Sequence, residues 1–225
     1  MTRETLDRKT HEILDEILVL GSMVEDAILS SVDSLKKRDI EAAKRIYQGD
    51  KAINEKRFAI ENDTLILIAT QQPMARDLRV MASVLEIASE LERMGDYAKG
   101  IAMINIRMGN EPLIKPLIDV PHMAEITADM LHRALGAFAA GDTAAARSIP
   151  KEDDTVDALY NQVYRELLTF MIKDPSTIDN ATFLLWVAHN LERAADRVIN
   201  ICERTLFVET GELVEIKATH DEFES

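Results

Sequence analysis

Apolar residues recur at three- and four-residue steps along most of the chain, the spacing of helices that bury one stripe and expose the other. From about Glu4 to Lys36 the stripe runs through Ile13, Leu14, Ile17, Leu18, Met23, Val24, Ala27, Ile28, Val32 and Leu35, which predicts one long amphipathic helix. Asp39 has the short carboxylate of an N-cap and predicts a second helix to about Gln71. Pro73 ends that helix and suits the first position of a third, which runs to about Met108.

Between Gly109 and Pro121 the text changes to GNEPLIKPLIDVP, too rich in proline for regular helix, and reads as a linker. A second trio follows: about His122 to Ala140, Asp142 to about Lys173, and Pro175 to about Val208. Pro150 stands opposite Tyr47 of the first trio and predicts a kink or break. The expected fold is all-α, with two tandem three-helix bundles made from six long helices. The expected boundaries are 1–109 for the first repeat, 110–121 for the linker, 122–208 for the second repeat and 209–225 for a polar acidic tail of the kind that is often disordered.

The strongest internal repeat is Leu85–Ile101, LEIASELERMGDYAKGI, which returns as Leu185–Ile201, LWVAHNLERAADRVINI, identical at seven of seventeen positions. Asp142-Thr-Ala-Ala-Ala-Arg likewise mirrors Asp39-Ile-Glu-Ala-Ala-Lys. Both copies carry Glu-x-x-x-Asp, which stacks two carboxylates one helical turn apart on one face: Glu92 with Asp96, and Glu192 with Asp196. A tight antiparallel turn at Gln72–Pro73 sets Asp50 and Asn54 beside Asp96 and Glu92. The turn at Asp174–Pro175 sets Asp153 opposite Asp196 and Asp157 opposite Glu192, with Asp154 and Asn200 as additional candidates.

Like charges one turn apart destabilise a helix, and facing them with more acids compounds the repulsion, so a positive partner is required. An all-oxygen set fits a hard cation such as Mg²⁺, Mn²⁺, Ca²⁺ or ferric iron, although carboxylates also bind Zn²⁺. The bland alternative is a solvated acidic face neutralised by Arg93, Arg193 and Arg197. A ferritin-like di-metal enzyme would need Glu-x-x-His twice; here His189 precedes Glu192, and the histidines read as surface or packing residues. The methionines of the third helix read as core filler.

Composition narrows the function further. The 225 residues carry 26 Lys and Arg against 40 Asp and Glu, a net charge of −14 that argues against a nucleic-acid binder. The lone Cys202 reads as a small core residue. No apolar run suits a signal peptide or a bilayer span, so a soluble cytoplasmic protein is expected, and no nucleotide, thiol or esterase motif occurs.

Gln71-Gln72-Pro73-Met74-Ala75-Arg76-Asp77-Leu78-Arg79, the Leu-Glu-Arg-x-x-Asp stretches at Leu91 and Leu191, and the acidic pairs at Asp50 and Asp153 together resemble the PhoU family of bacterial phosphate-signalling and transport accessory proteins. The resemblance spans nearly the whole chain. It implies two three-helix bundles side by side, iron or zinc clusters on the acidic motifs, and no catalysis. It also implies a bridging role between a phosphate ABC transporter and a membrane-bound sensor histidine kinase, repressing phosphate-starvation genes when phosphate is plentiful. The membrane would be reached only through those partners, the transporter ATPase subunit and the kinase, and a homodimer is the expected assembly. Two departures stand out: Gly100 where the second half has Asn200, and Asn54 in place of an acid. The metal role therefore transfers more firmly to Asp153, Asp157, Glu192 and Asp196 than to Asp50, Asn54, Glu92 and Asp96.

Overall fold

The computed structural model describes residues 3–216, and every regular element among them is helical. Helix α1 is Arg3–Lys37, α2 is Ile40–Gln71 and α3 is Arg76–Met108. The second trio is α4 (Asp119–Ala140), α5 (Thr143–Ser148) with α6 (Asp153–Lys173), and α7 (Ile178–Thr210). The break expected at Pro150 is present as a 3-10 turn, Ile149–Glu152, with Ile149 and Pro150 buried. Its consequence is local: Asp153 becomes the first residue of α6, whereas its counterpart Asp50 lies inside the unbroken α2.

Both predicted aspartate caps form. Asp39 accepts from the Ala42 amide at 2.8 Å, and Asp142 accepts from the Ala144 and Ala145 amides at 3.0 Å. The entry to α3 differs from expectation. Pro73 does not start it; Gln72 ends α2 in the left-handed region (φ 49°), Ala75 takes φ 48° with ψ −117°, and α3 begins at Arg76. The positive φ at Ala75 is strained for a residue with a Cβ. The turn is held from outside: the Arg76 guanidinium lies 2.5 Å from Glu209, and Arg79 Nε donates to the Val208 carbonyl at 3.1 Å. Arg76 and Arg79, at the start of α3, thus hold the C-terminal end of α7.

The two trios share one continuous apolar core. Leu91, Met94 and Ile101 of α3 belong to it together with Leu191, Ala194 and Val198 of α7. Helices α3 and α7 run antiparallel: Glu86 pairs with Arg204 at 3.0 Å, Glu90 receives Asn200 at 3.1 Å, and Gly100 packs against Asn190. Because Glu90 and Asn190 are repeat counterparts, as are Gly100 and Asn200, this crossing is a pseudo-two-fold axis. On the opposite side α1 meets α4 closely. A Cβ at Gly21 would come within 2.1 Å of Leu135 Cδ1, so a larger residue there would require the Leu135 side chain to shift.

The linker is docked onto this core. Leu117 is buried, Lys115 is ion-paired with Glu166, and Arg38 Nη2 donates to the Gly109 carbonyl at 2.7 Å. At the other end α7 continues to Thr210, Gly211 caps it with φ 81°, and Val214 and Ile216 lie against the core. The rest of the expected acidic tail, 217–225, lies outside the described residues. Cys202 is fully buried, and burial pushes its thiol up to about 12, so it is a core residue. No helix among the described residues is long and apolar enough to cross a membrane.

Candidate functional site

The site grows from the antiparallel pairs α2–α3 and α6–α7, whose tight turns set which residues face each other. In the first half the expected register holds: Asp50 Oδ1 lies 3.9 Å from the position a Cβ would take at Gly95. In the second half Asp153 is the centre of the group. Its carboxyl is buried, and desolvation, then the charges of Asp157, Asp196, Glu192 and Asp154, push its pKa from 3.8 up to about 7. Glu192 is raised from 4.5 to about 7 by desolvation, Asp196 and Asp157, with Arg193 opposing. Asp196 is also raised by burial, tempered by Arg193, Arg197 and His189.

Two oxygens of this cluster are buried without a hydrogen-bond donor, Asp153 Oδ1 and Glu192 Oε2. A buried acceptor left in that state costs on the order of 1–3 kcal/mol, more when charged. The nearest basic group is His189, whose Nδ1 lies 3.3 Å from Glu192 Oε2 without hydrogen-bond geometry. Its ring packs 6.2 Å from both Tyr160 and Trp186. Among the described residues no lysine or arginine forms an ion pair with Asp153, Glu192 or Asp196. Nor do three His, Cys, Asp or Glu side chains converge there into a ready coordination shell. The donor chemistry nonetheless fits a hard cation: oxygen ligands, a shared negative field and two orphaned buried oxygens.

The first-half set is arranged differently. Asp50 is buried, and its Oδ2 receives Lys99 Nζ at 2.7 Å and Asn54 Nδ2 at 3.1 Å. The same ammonium is 3.7 Å from Asp96 Oδ1 and 5.5 Å from the centre of the Tyr47 ring. That hydrogen bond raises Lys99 above the ordinary lysine value. Glu92 is raised by desolvation and by Asp96. With an amide at Asn54 and the Lys99 ammonium seated on Asp50 Oδ2, this set offers fewer free acid donors than the second, although Asp50 Oδ1 is likewise buried without a donor.

Of the residues expected from sequence, Asn200 is placed elsewhere. Its amide donates to Glu90 at the α3–α7 crossing, because position 200 faces the other half rather than α6. Arg93 and Arg197 also turn to Glu90, at 3.8 and 3.4 Å, rather than onto the acid clusters. Lys99 lies outside the expected site residues, although the sequence carries a signal for it: it follows Asp96 by one turn, and its repeat counterpart is Ile199. His189, which precedes Glu192 by one turn, reads from the sequence as a surface or packing residue.

Comparison with known proteins supplies the family. The PhoU domain model matches twice, over residues 6–104 and 120–205. A protein of Aquifex aeolicus named phosphate-specific transport system accessory protein PhoU homolog is 35% identical over 209 residues, covering 93% of this chain and 95% of that one. A Streptococcus pneumoniae protein of the same name is 35% identical over 214 residues, covering 95% and 99%. The crystal structure of the phosphate transport system regulatory protein PhoU from Streptococcus pneumoniae superposes with a TM-score of 0.87 at 34% identity, over 94% of this chain and 100% of that one. PhoU from Pseudomonas aeruginosa gives 0.86 at 29% identity, over 92% and 99%. Two matched domains, full-length relatives and a shared three-dimensional arrangement lead to one conclusion: the chain belongs to the PhoU family.

Proposed function

We propose that this chain is a non-enzymatic regulator of phosphate uptake, an accessory protein that docks on the ATPase subunit of a phosphate ABC transporter and on a sensor histidine kinase. In this reading it is a cytoplasmic homodimer and reaches the membrane only through those partners. The observation that carries the reading is the similarity, over 93–94% of this chain, to accessory and regulatory proteins of phosphate transport, with the PhoU domain matched in both halves. A rigid bundle with a continuous core suits this work, because a regulator that bridges two proteins must keep its binding faces in fixed relation. In the parent organism, deleting the gene should release a phosphate-starvation reporter, such as alkaline phosphatase activity, in high phosphate. Restoring the gene should silence it again, and a reporter that stays silent in the deletion overturns the proposal.

The metal reading belongs to the second half. Asp153, Asp157, Glu192 and Asp196 would hold a hard divalent or trivalent cation, iron or zinc first, with Mg²⁺, Mn²⁺ or Ca²⁺ also suited to the oxygen donors. The orphaned oxygens of Asp153 and Glu192 support it. When bound, the ion supplies positive charge that ties α6 to α7. Metal analysis of protein purified without chelator or nickel resin tests this: bound metal is expected, and a metal-free chain sinks it.

A further inference from the structure

We infer that Lys99 is the resident cation of the first half, standing in for a metal ion, so that this chain binds metal through its second half alone. The inference rests on the metal reading of the second half for its last clause, while the role of Lys99 rests on its own contacts. The ammonium lies 2.7 Å from Asp50 Oδ2 and 3.7 Å from Asp96 Oδ1, bridging α2 and α3 between two of the acids expected to ligate. Asp50 is only 6% exposed, so its charge needs a partner, and Lys99 is the one it has.

Charge arithmetic on the two halves agrees. At full ionisation the first set has three carboxylates, one amide and one ammonium, leaving two negative charges. The second set has four carboxylates with Ile199 at the lysine position, one acid more and one ammonium fewer. One divalent cation removes the difference between the repeats. Access does not explain the asymmetry, since Asp50 and Lys99 line an open cleft of about 300 Å³ together with Asp26, Ser30 and Gly49. An ion could enter; the lysine has taken its place.

The test has two arms on the full-length protein. In the first, Zn²⁺-loaded and dialysed protein is assayed for metal per chain. The first-half variant Asp50→Asn/Glu92→Gln/Asp96→Asn is expected to retain the wild-type content, and the matching variant Asp153→Asn/Glu192→Gln/Asp196→Asn to lose it. Metal lost from the first-half variant overturns the inference. If the wild type itself holds none, the metal reading of the second half fails, and the second arm judges Lys99 separately. In chelator, Lys99→Met is expected to lower Tm by roughly 5 °C, and adding Asp50→Asn to restore most of that loss. A Lys99→Met protein as stable as wild type, or a loss that Asp50→Asn does not relieve, shows that Lys99 does not serve Asp50 and overturns the assignment.

Discussion

The two acidic clusters are built from the same repeated helix, one on α3 and one on α7, and they solve the same electrostatic problem differently. In the first half a lysine three residues after Asp96 reaches across to Asp50, and an asparagine replaces the fourth acid. In the second half an isoleucine occupies the lysine position, the fourth acid is present, and two buried carboxyl oxygens, on Asp153 and Glu192, are left without donors against one, Asp50 Oδ1, in the first. The difference teaches that a repeated motif marks a place where charge must be balanced, not the means of balancing it. Two differences between the repeats, Lys99 against Ile199 and Asn54 against Asp157, separate a set with an internal ammonium from one without.

The sharpest way to break this comparison is to remove the second cluster. Replacing Asp153, Asp157, Glu192 and Asp196 together by alanine is expected to abolish bound metal in elemental analysis, and unchanged content would end the site assignment. Converting the second half into the first by Ile199→Lys should place an ammonium one turn after Asp196. Zn²⁺ affinity measured by competition with a chelating dye should then fall by about tenfold or more, ~1.4 kcal/mol. Affinity equal to wild type would show that the lysine position does not govern occupancy.

The third expectation concerns pH. Asp153 and Glu192 hold protons up to about 7 when folded, against ordinary values of 3.8 and 4.5. Between those limits the folded, metal-free chain binds more protons than the unfolded one. This contribution to stability is therefore complete below about pH 4 and is lost as pH rises through about 7. Asp153→Asn removes the cost of ionising that buried carboxyl and should raise the Tm of chelator-treated protein at pH 8 by roughly 2–4 °C, equivalent to about 1 kcal/mol, with a smaller change at pH 5. A metal ion must displace those protons, so the rise in Tm on adding Zn²⁺ should be larger at pH 8 than at pH 5.5. A metal-induced rise independent of pH contradicts this picture. The smallest expected effect lies between the halves. Glu90→Gln weakens the contacts to Arg197 and Asn200, costing under about 1 kcal/mol in denaturant unfolding and leaving metal content unchanged.

Much of this was legible in the sequence. The stripe of α1, the aspartate caps at Asp39 and Asp142, and the break at Pro150 follow from chemistry within a few residues of each position. The proximity of Asp153 to Asp196 and of Asp157 to Glu192 was also legible, because a tight turn dictates register over the first few turns of an antiparallel pair. The start of α3 was not, since Ala75 adopts a strained turn that Arg76 and Arg79 stabilise through residues more than a hundred positions away. Nor was the destination of Asn200. Its alignment with the acid motif suggested a ligand, while the rotation of α7 against α3 directs it to Glu90.

By itself, then, the sequence determined the helices, their duplication and which faces carry acid, because these depend on local periodicity and on composition preserved in both copies. Only the tertiary structure decided that the two trios share one core through α3 and α7. It alone showed which oxygens are buried without donors, and that Lys99 sits on Asp50 while Ile199 leaves its counterpart bare of any ammonium. Those outcomes turn on ångström-scale distances across helix pairs, and a side chain's reach across a packed interface is set by the crossing of the helices rather than by its place in the repeat.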